Sequence, residues 1–247
     1  MFSRPQATGK RREGYSGVGC VAVIGKVAYP KAEASRLPAH ETVYRALRAR
    51  ILYGEMAPGQ PVTIQGLTED LGAGMTPVRE AIRRLTAEGA LVFQGNRRVS
   101  VPRLSPENVG ELIFARAAIE PQLALRATRH ADLGALDRLA AEDARLDTAI
   151  AEGDLGGYLR HNHGFHAMLY EVARAPILAA LADGLWLRFG PSLRVVCGRI
   201  GTQNLPDRHK ETLSAMRAGD AEAAAQAIRE DVLQGMELVR AALGNRA

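Results

Sequence analysis

The sequence predicts a mostly helical chain in two unlike parts, and two observations predict it. Three short helical patterns and a β-hairpin signal fall within residues 39–103, whereas from residue 105 onward only helical periodicity occurs. The charge divides at the same point. Residues 1–103 hold 16 Lys+Arg against 8 Asp+Glu, and the remainder holds 16 against 19. A basic first part joined to a mildly acidic second part suggests a polyanion-binding module followed by something else.

Residues 1–38 are rich in Gly, Ser, Lys and Arg over 8–19 and show no period, so an extension without regular structure is expected there. Residues 41–53 predict a helix, with Tyr44, Leu47 and Ile51 on one face and Gly54 at its end. Met56–Pro61 reads as a turn by composition. A second short helix carries Leu67 and Leu71 and ends near Gly72. A third is predicted over 76–88, capped by Thr76 with Pro77 at the first helical position, where a missing N–H costs nothing. Its apolar stripe is Val78, Ile82 and Leu85; Arg79, Arg83 and Arg84 lie off it. Leu91–Phe93 and Val99–Val101 then flank a Gly-Asn turn. Three helices closed by a hairpin is the order of a winged helix-turn-helix, assigned to residues 39–103.

Residues 104–247 predict an all-helical antiparallel bundle. Ser105-Pro106 is a capped start, and Leu112, Ala115, Ile119 and Leu123 mark the stripe of the first long helix. Further helices are expected over 132–152, 154–173, 176–199, 204–218 and 220–243, with Gly153-Asp154 and Gly219-Asp220 as paired stop and start signals.

Composition narrows the function. With 47% hydrophobic and 24% charged residues the chain is not globally disordered, and no apolar run is long enough to span a membrane. Two distant cysteines, Cys20 and Cys197, fit a reducing cytoplasm better than a disulfide framework. No phosphate loop, nucleotide fingerprint or nucleophile–base set is visible, so an enzyme is not expected.

The third helix has the chemistry of a DNA-reading helix. Thr76 and Arg79 stand at its N-terminal end, and a guanidinium can grip the O6/N7 edge of guanine. Arg83 and Arg84 one turn on, and Arg97 and Arg98 on the hairpin, are candidate phosphate contacts. A solvated basic face is the plainer reading of any one of them. In the bundle, His161-Asn162-His163-Gly164-Phe165-His166 and the pair His209, Asp231 are the candidate ligand-binding pieces. Asn162 and His166 share a helix face. Imidazoles with oxygen donors hold divalent transition metals, although histidines are more often solvated or satisfied in a core. Arg116 could fork a carboxylate, or could pair with Glu120 four residues on.

The run from Leu67 to Leu91, and Thr76-Pro77-Val78-Arg79-Glu80-Ala81 within it, resembles the signature of GntR-family bacterial transcription regulators, as does Ile51-Leu52-Tyr53-Gly54 with Pro58-Gly59 upstream. The resemblance covers residues 41 to about 243. It implies a sequence-specific, double-stranded-DNA-binding regulator, most simply a repressor, acting as a homodimer on a palindromic operator. Met75 stands where the family usually has Arg, and Gln65 where many members carry a basic residue; Gln65 joins the candidate DNA contacts. The helical half resembles the FCD effector domain of the FadR subgroup. That resemblance implies a zinc, nickel or manganese ion held by Asn162, His166, His209 and Asp231, with Asp231 where a third histidine is usual. It further implies a small carboxylate effector near the metal, assisted by Arg116. A regulator answering to metal alone, and a metal-dependent hydrolase, are the alternatives.

Overall fold

The computed structural model describes residues 37–95, 98–200 and 208–244. The expected extension and Arg97 lie outside the described residues, apart from Leu37 and Pro38.

Helices α1 (Ala39–Leu52), α2 (Ile64–Leu71) and α3 (Met75–Ala87) share one core through Leu47, Ile51, Leu67, Val78 and Leu85, the apolar stripes read from the sequence. A three-stranded antiparallel sheet closes this part: β1 (Pro61–Val62), β2 (Val92–Gln94) and β3 (Arg98–Ser100), in the order β1-β3-β2. Phe93 faces Val99 and Val62 faces Val99 from the other side. β1 falls where composition predicted a turn. It is two residues long, too short for a period to register, and Pro61 is tolerated because β1 is an edge strand. α3 also begins one residue earlier than expected. Its N-cap is Gly74 in extended conformation, so Thr76 caps nothing and Pro77 is the third helical residue, still within the turn whose N–H groups lack intrahelical partners.

The second part is helical throughout its described length: α4 (Pro106–His130), α5 (Leu133–Glu152), α6 (Leu155–Val172), α7 (Pro176–Ile200), α8 (Arg208–Ala218) and α9 (Ala221–Gly244). Ser105 and Asn108 form a reciprocal capping box at the start of α4. α4 runs straight through Pro121, which removes the N–H that would bond the Ala117 carbonyl. Arg229 of α9 supplies the missing donor, its Nη1 lying 3.1 Å from Ala117 O. α4 packs along α9, α5 along α6, and α8 against α9. Gly153 and Gly219 close α5 and α8 in left-handed conformation, as their positions predicted.

The buried face of α4 differs from the expected stripe. Ala115 and Ile119 are only partly buried, while Arg116 and Glu120 are buried alongside Leu112 and Leu123. The inner face of this helix carries charge because it lines a polar cluster in the bundle.

Candidate nucleic-acid interface and metal centre

On the head, α3 presents Met75, Thr76 and Arg79 to solvent. Arg79 has no ion-pair partner among the described residues, so its guanidinium is open to an external one. Arg83 is also exposed but shares its charge with Glu80 at 2.6 Å. Arg79, Arg83 and Arg98 line one groove of about 570 Å³ between α3 and the sheet, with Thr63, Ile64 and Phe93. Thr63 is the N-cap of α2, its hydroxyl accepting from Gly66 N. Gln65, exposed on α2, is bonded to Glu69 at 3.2 Å. Arg84 is placed differently from the expectation of a free phosphate contact. It lies 3.5 Å above the Tyr44 ring and reaches Glu41 at 3.0 Å and Glu88 at 3.3 Å, so it clamps α3 onto α1. The sequence singled out none of Phe93's exposure: it stands 61% exposed on the outer strand, where a β-branched or aromatic run predicts burial.

In the bundle, His166 of α6, His209 of α8 and Asp231 of α9 come together, each offering one ligand atom within 4.8 Å of the others. Both imidazoles are buried. His166 Nε2 lies 3.1 Å from Asp231 Oδ2, and His209 Nε2 lies 3.9 Å from Asp231 Oδ1. Each ring turns its other nitrogen to a second carboxylate: His166 Nδ1 to Glu120 at 3.1 Å and His209 Nδ1 to Asp143 at 3.2 Å. Phe165 stacks on His209 at 3.9 Å between ring centroids and fixes its plane. Asn162 is partly buried one turn before His166 on α6 and has no hydrogen-bond partner among the described residues.

This arrangement fits a metal ion on two grounds. His209 Nε2 and both ring nitrogens of His166 are buried without a hydrogen bond of good geometry; the carboxylates beside His166 are near but off the donor direction. The Asp143 carboxylate hydrogen-bonded to His209 Nδ1 is also the usual device that holds a metal-ligating imidazole in the Nδ1–H tautomer and leaves Nε2 free.

Glu120 is the pivot of the cluster. It pairs with the Arg116 side chain, also buried, and accepts a hydrogen bond from Tyr170 Oη at 2.6 Å. Arg116 lies over Trp186 at 4.5 Å and Phe189 at 4.3 Å. Of the two roles left open for Arg116, pairing with Glu120 is the contact the structure contains. Burial would raise the Glu120 and Asp231 carboxyls, but Arg116 and His166 beside Glu120, and His166 and His209 beside Asp231, hold each down to about 2. Burial would lower His166, but the carboxylates of Asp231 and Glu120 hold it up to about 9 in the metal-free chain. Glu120, Asp143 and Trp186 were not singled out as site residues from the sequence. Glu120 alone had a local signal, its i+4 spacing from Arg116.

Comparison with known proteins follows the same division. The family "Bacterial regulatory proteins, gntR family" matches residues 39–101, and the FCD domain family matches residues 111–234. The chain is 28% identical to the HTH-type transcriptional regulator McbR of Escherichia coli (strain K12), over 78% of this chain and 89% of that protein. It is 24% identical to the HTH-type transcriptional repressor RspR of the same organism, over 82% of this chain and 90% of that protein. The solved structure of E. coli McbR/YncC superposes with a TM-score of 0.77 at 25% identity, covering 82% of this chain and 97% of that one.

Proposed function

The chain belongs to the GntR family of bacterial regulatory proteins, with an FCD domain as its helical half, and on that ground we propose that it is a cytoplasmic, ligand-responsive transcriptional repressor. It is a DNA-binding regulator rather than an enzyme, as its relatives are. Under this proposal, residues 39–103 read a palindromic operator as part of a homodimer, and residues 104–247 hold the effector. Arg79 and Thr76 meet base edges, while Arg83, Arg97, Arg98 and Gln65 meet the backbone or neighbouring bases. The repressor sign is supported by the name that RspR carries.

His166, His209 and Asp231, with Asn162 one turn before His166, would hold a divalent zinc, nickel or manganese ion. When bound, such an ion supplies a Lewis-acidic docking point for a small carboxylate. The chain's own residues do the rest. Glu120 and Asp143 orient the two imidazoles, Arg116 keeps Glu120 charged, and Phe165 fixes the His209 plane. The single observation that carries this reading is the convergence of two buried, hydrogen-bond-free Nε2 atoms on one carboxylate, each backed by a second carboxylate. No FCD ligand acts on the head except through a difference in affinity for two states of the protein. A second reading, response to metal alone, is favoured by one contact: the Arg116 guanidinium expected to fork an organic carboxylate is already paired with Glu120.

Fluorescence anisotropy on the intergenic DNA beside the gene, against random DNA of equal length at two salt concentrations, tests the proposal. Selective binding with a steep salt slope is expected. Adding metal, then a panel of small carboxylates at constant metal, separates the two readings. Equal, weak binding to both DNAs under all these conditions would refute the regulator assignment for this DNA.

A further inference from the structure

We propose that α7 is the coupling element between the His166 cluster and the DNA-reading head, with Asp183 and Trp186 as its positioning residues. This rests on the reading of the cluster as a ligand site and names how its state reaches the head.

One side of α7 grips the end of α1. Asp183 pairs with Arg48 of α1. Two turns on, the Gly190 backbone lies so close to the α1 terminus that a Cβ there would sit 2.1 Å from the Leu52 carbonyl oxygen. One turn further, Arg194 Nη1 donates to the Tyr53 carbonyl at 3.3 Å, satisfying a free acceptor at the α1 C-cap. The contact therefore runs along about three turns, and at Gly190 it is backbone on backbone, with no room to slide.

The adjoining side of α7, about 60° round the helix, faces the cluster. Trp186, three residues from Asp183, is buried with its ring centroid 5.0 Å from that of His166. Its Nε1 donates to Tyr170 Oη at 3.0 Å, and Tyr170 donates in turn to Glu120. Arg116 lies on its face. Between the two sides stands His163, edge-on to Trp186 at 5.2 Å and to Tyr53 of the head at 6.0 Å, with Nε2 3.4 Å from the Asp183 carboxylate. Trp186 thus touches a candidate ligand atom's own ring and, one turn away on the same helix and ahead of its internal Pro191, Asp183 pairs with the head. A change in His166 that shifts Trp186 carries Asp183 with it. Packed contacts of this kind move between discrete arrangements rather than deforming smoothly.

Trp186 is the single tryptophan of the chain, so intrinsic fluorescence reports on the coupling element itself. The experiment uses the full chain, stripped by chelator and titrated with Zn²⁺ alone. Trp186 fluorescence and calorimetry read the cluster. Hydrogen exchange by mass spectrometry over residues 44–54 and 75–91 reads the head. In the wild type, Zn²⁺ is expected to change the fluorescence and to alter exchange in both head segments by roughly fivefold, the low end of ordinary coupling. Asp183→Asn and Arg48→Gln are expected to keep stoichiometric Zn²⁺ binding and to weaken the head response, the Gly190 and Arg194 contacts remaining, and Asp183→Glu to retain it in full. Asp183 is half-exposed, so these variants weaken the joint without opening a core. His166→Gln should lose both signals.

A head that stays silent while the wild type binds Zn²⁺, or a head response of full size in Asp183→Asn, overturns the coupling role and leaves the metal site standing. A head response in His166→Gln also overturns it, since the signal then starts elsewhere. No Zn²⁺ binding by the wild type in either assay overturns the metal reading and this proposal together.

Discussion

Replacing Glu120 with Ala should bring the metal-stripped protein close to unfolding. Glu120 is fully buried, and the Arg116 it pairs with is 3% exposed. Truncation strands that guanidinium without a counter-charge, which in a protein interior costs about 3–5 kcal/mol. It also takes the acceptor from Tyr170 Oη, and an orphaned buried hydroxyl adds about 1–3 kcal/mol. The two losses share a site and overlap, so the expected total is about 4–6 kcal/mol, against a total stability of about 5–15 kcal/mol for a typical domain. The paired change Arg116→Met with Glu120→Leu removes both charges together but still takes the acceptor from Tyr170 Oη, so it should cost about 1–3 kcal/mol, less than Glu120→Ala alone, because well-packed apolar groups replace buried ion pairs at little cost. Urea titration at neutral pH with chelator present, followed by far-ultraviolet circular dichroism, measures both. A Glu120→Ala loss below about 1 kcal/mol would refute the reasoning. It would mean that Arg116 has another partner for its charge, and the carboxylate-binding role for Arg116 would regain its footing.

Arg79→Ala should cost about 1–3 kcal/mol of operator binding and relax discrimination at one base pair, read by anisotropy against single-base operator variants; unchanged preference removes Arg79 from the reading set. Asp143→Asn leaves His209 in place but weakens the acceptor behind it, and should lower Zn²⁺ affinity by about 10- to 100-fold in calorimetry, whereas an unchanged affinity shows that Asp143 does not orient the ring. Without metal, His166 is pushed down by burial but held up to about 9 by its carboxylates, above its ordinary 6.5. Its contribution is then complete below pH 6.5 and is lost as pH rises through 9, so the melting temperature of the stripped protein should fall across that window. A flat profile there would contradict the protonated bridge.

How much of this was legible depends on the range of each contact. The cores of α1 and α3 were readable because Tyr44, Leu47, Ile51, Val78, Ile82 and Leu85 recur at helical spacing and are all buried. The caps at Ser105, Gly153 and Gly219 were readable because a cap depends on neighbours in sequence. β1 was not, because two residues carry no period. The α4 face was read about one position away from its true line, since a scan for apolar residues passes over Arg116 and Glu120. The ion pairs of Arg84 were hidden for a different reason: Glu41, which takes part of its charge, is 43 residues away in sequence. In the cluster, the ligand set came from family resemblance, while the residues that orient it, Glu120 and Asp143, belong to helices other than those of the histidines they face.

The charge content of the cluster says what kind of ligand it is built for. Glu120, Asp143 and Asp231 are held as carboxylates or paired in the bundle interior, and Arg116 is the one buried guanidinium among them. Lys210 stands 3.9 Å from the Asp143 carboxylate, so with both imidazoles neutral one negative charge is left to balance in a place where unpaired charge is costly. The metal-free chain balances it by keeping a proton on His166. A divalent cation on the two Nε2 atoms and Asp231 would also neutralise it, and to sit there it has to displace that proton. Proton and metal therefore compete for the same nitrogen. The substitution of Asp231 for the family's usual histidine contributes to this: it adds a negative charge that a third imidazole would not. The same three residues that would make the site therefore favour a cationic occupant over an anion or a neutral molecule.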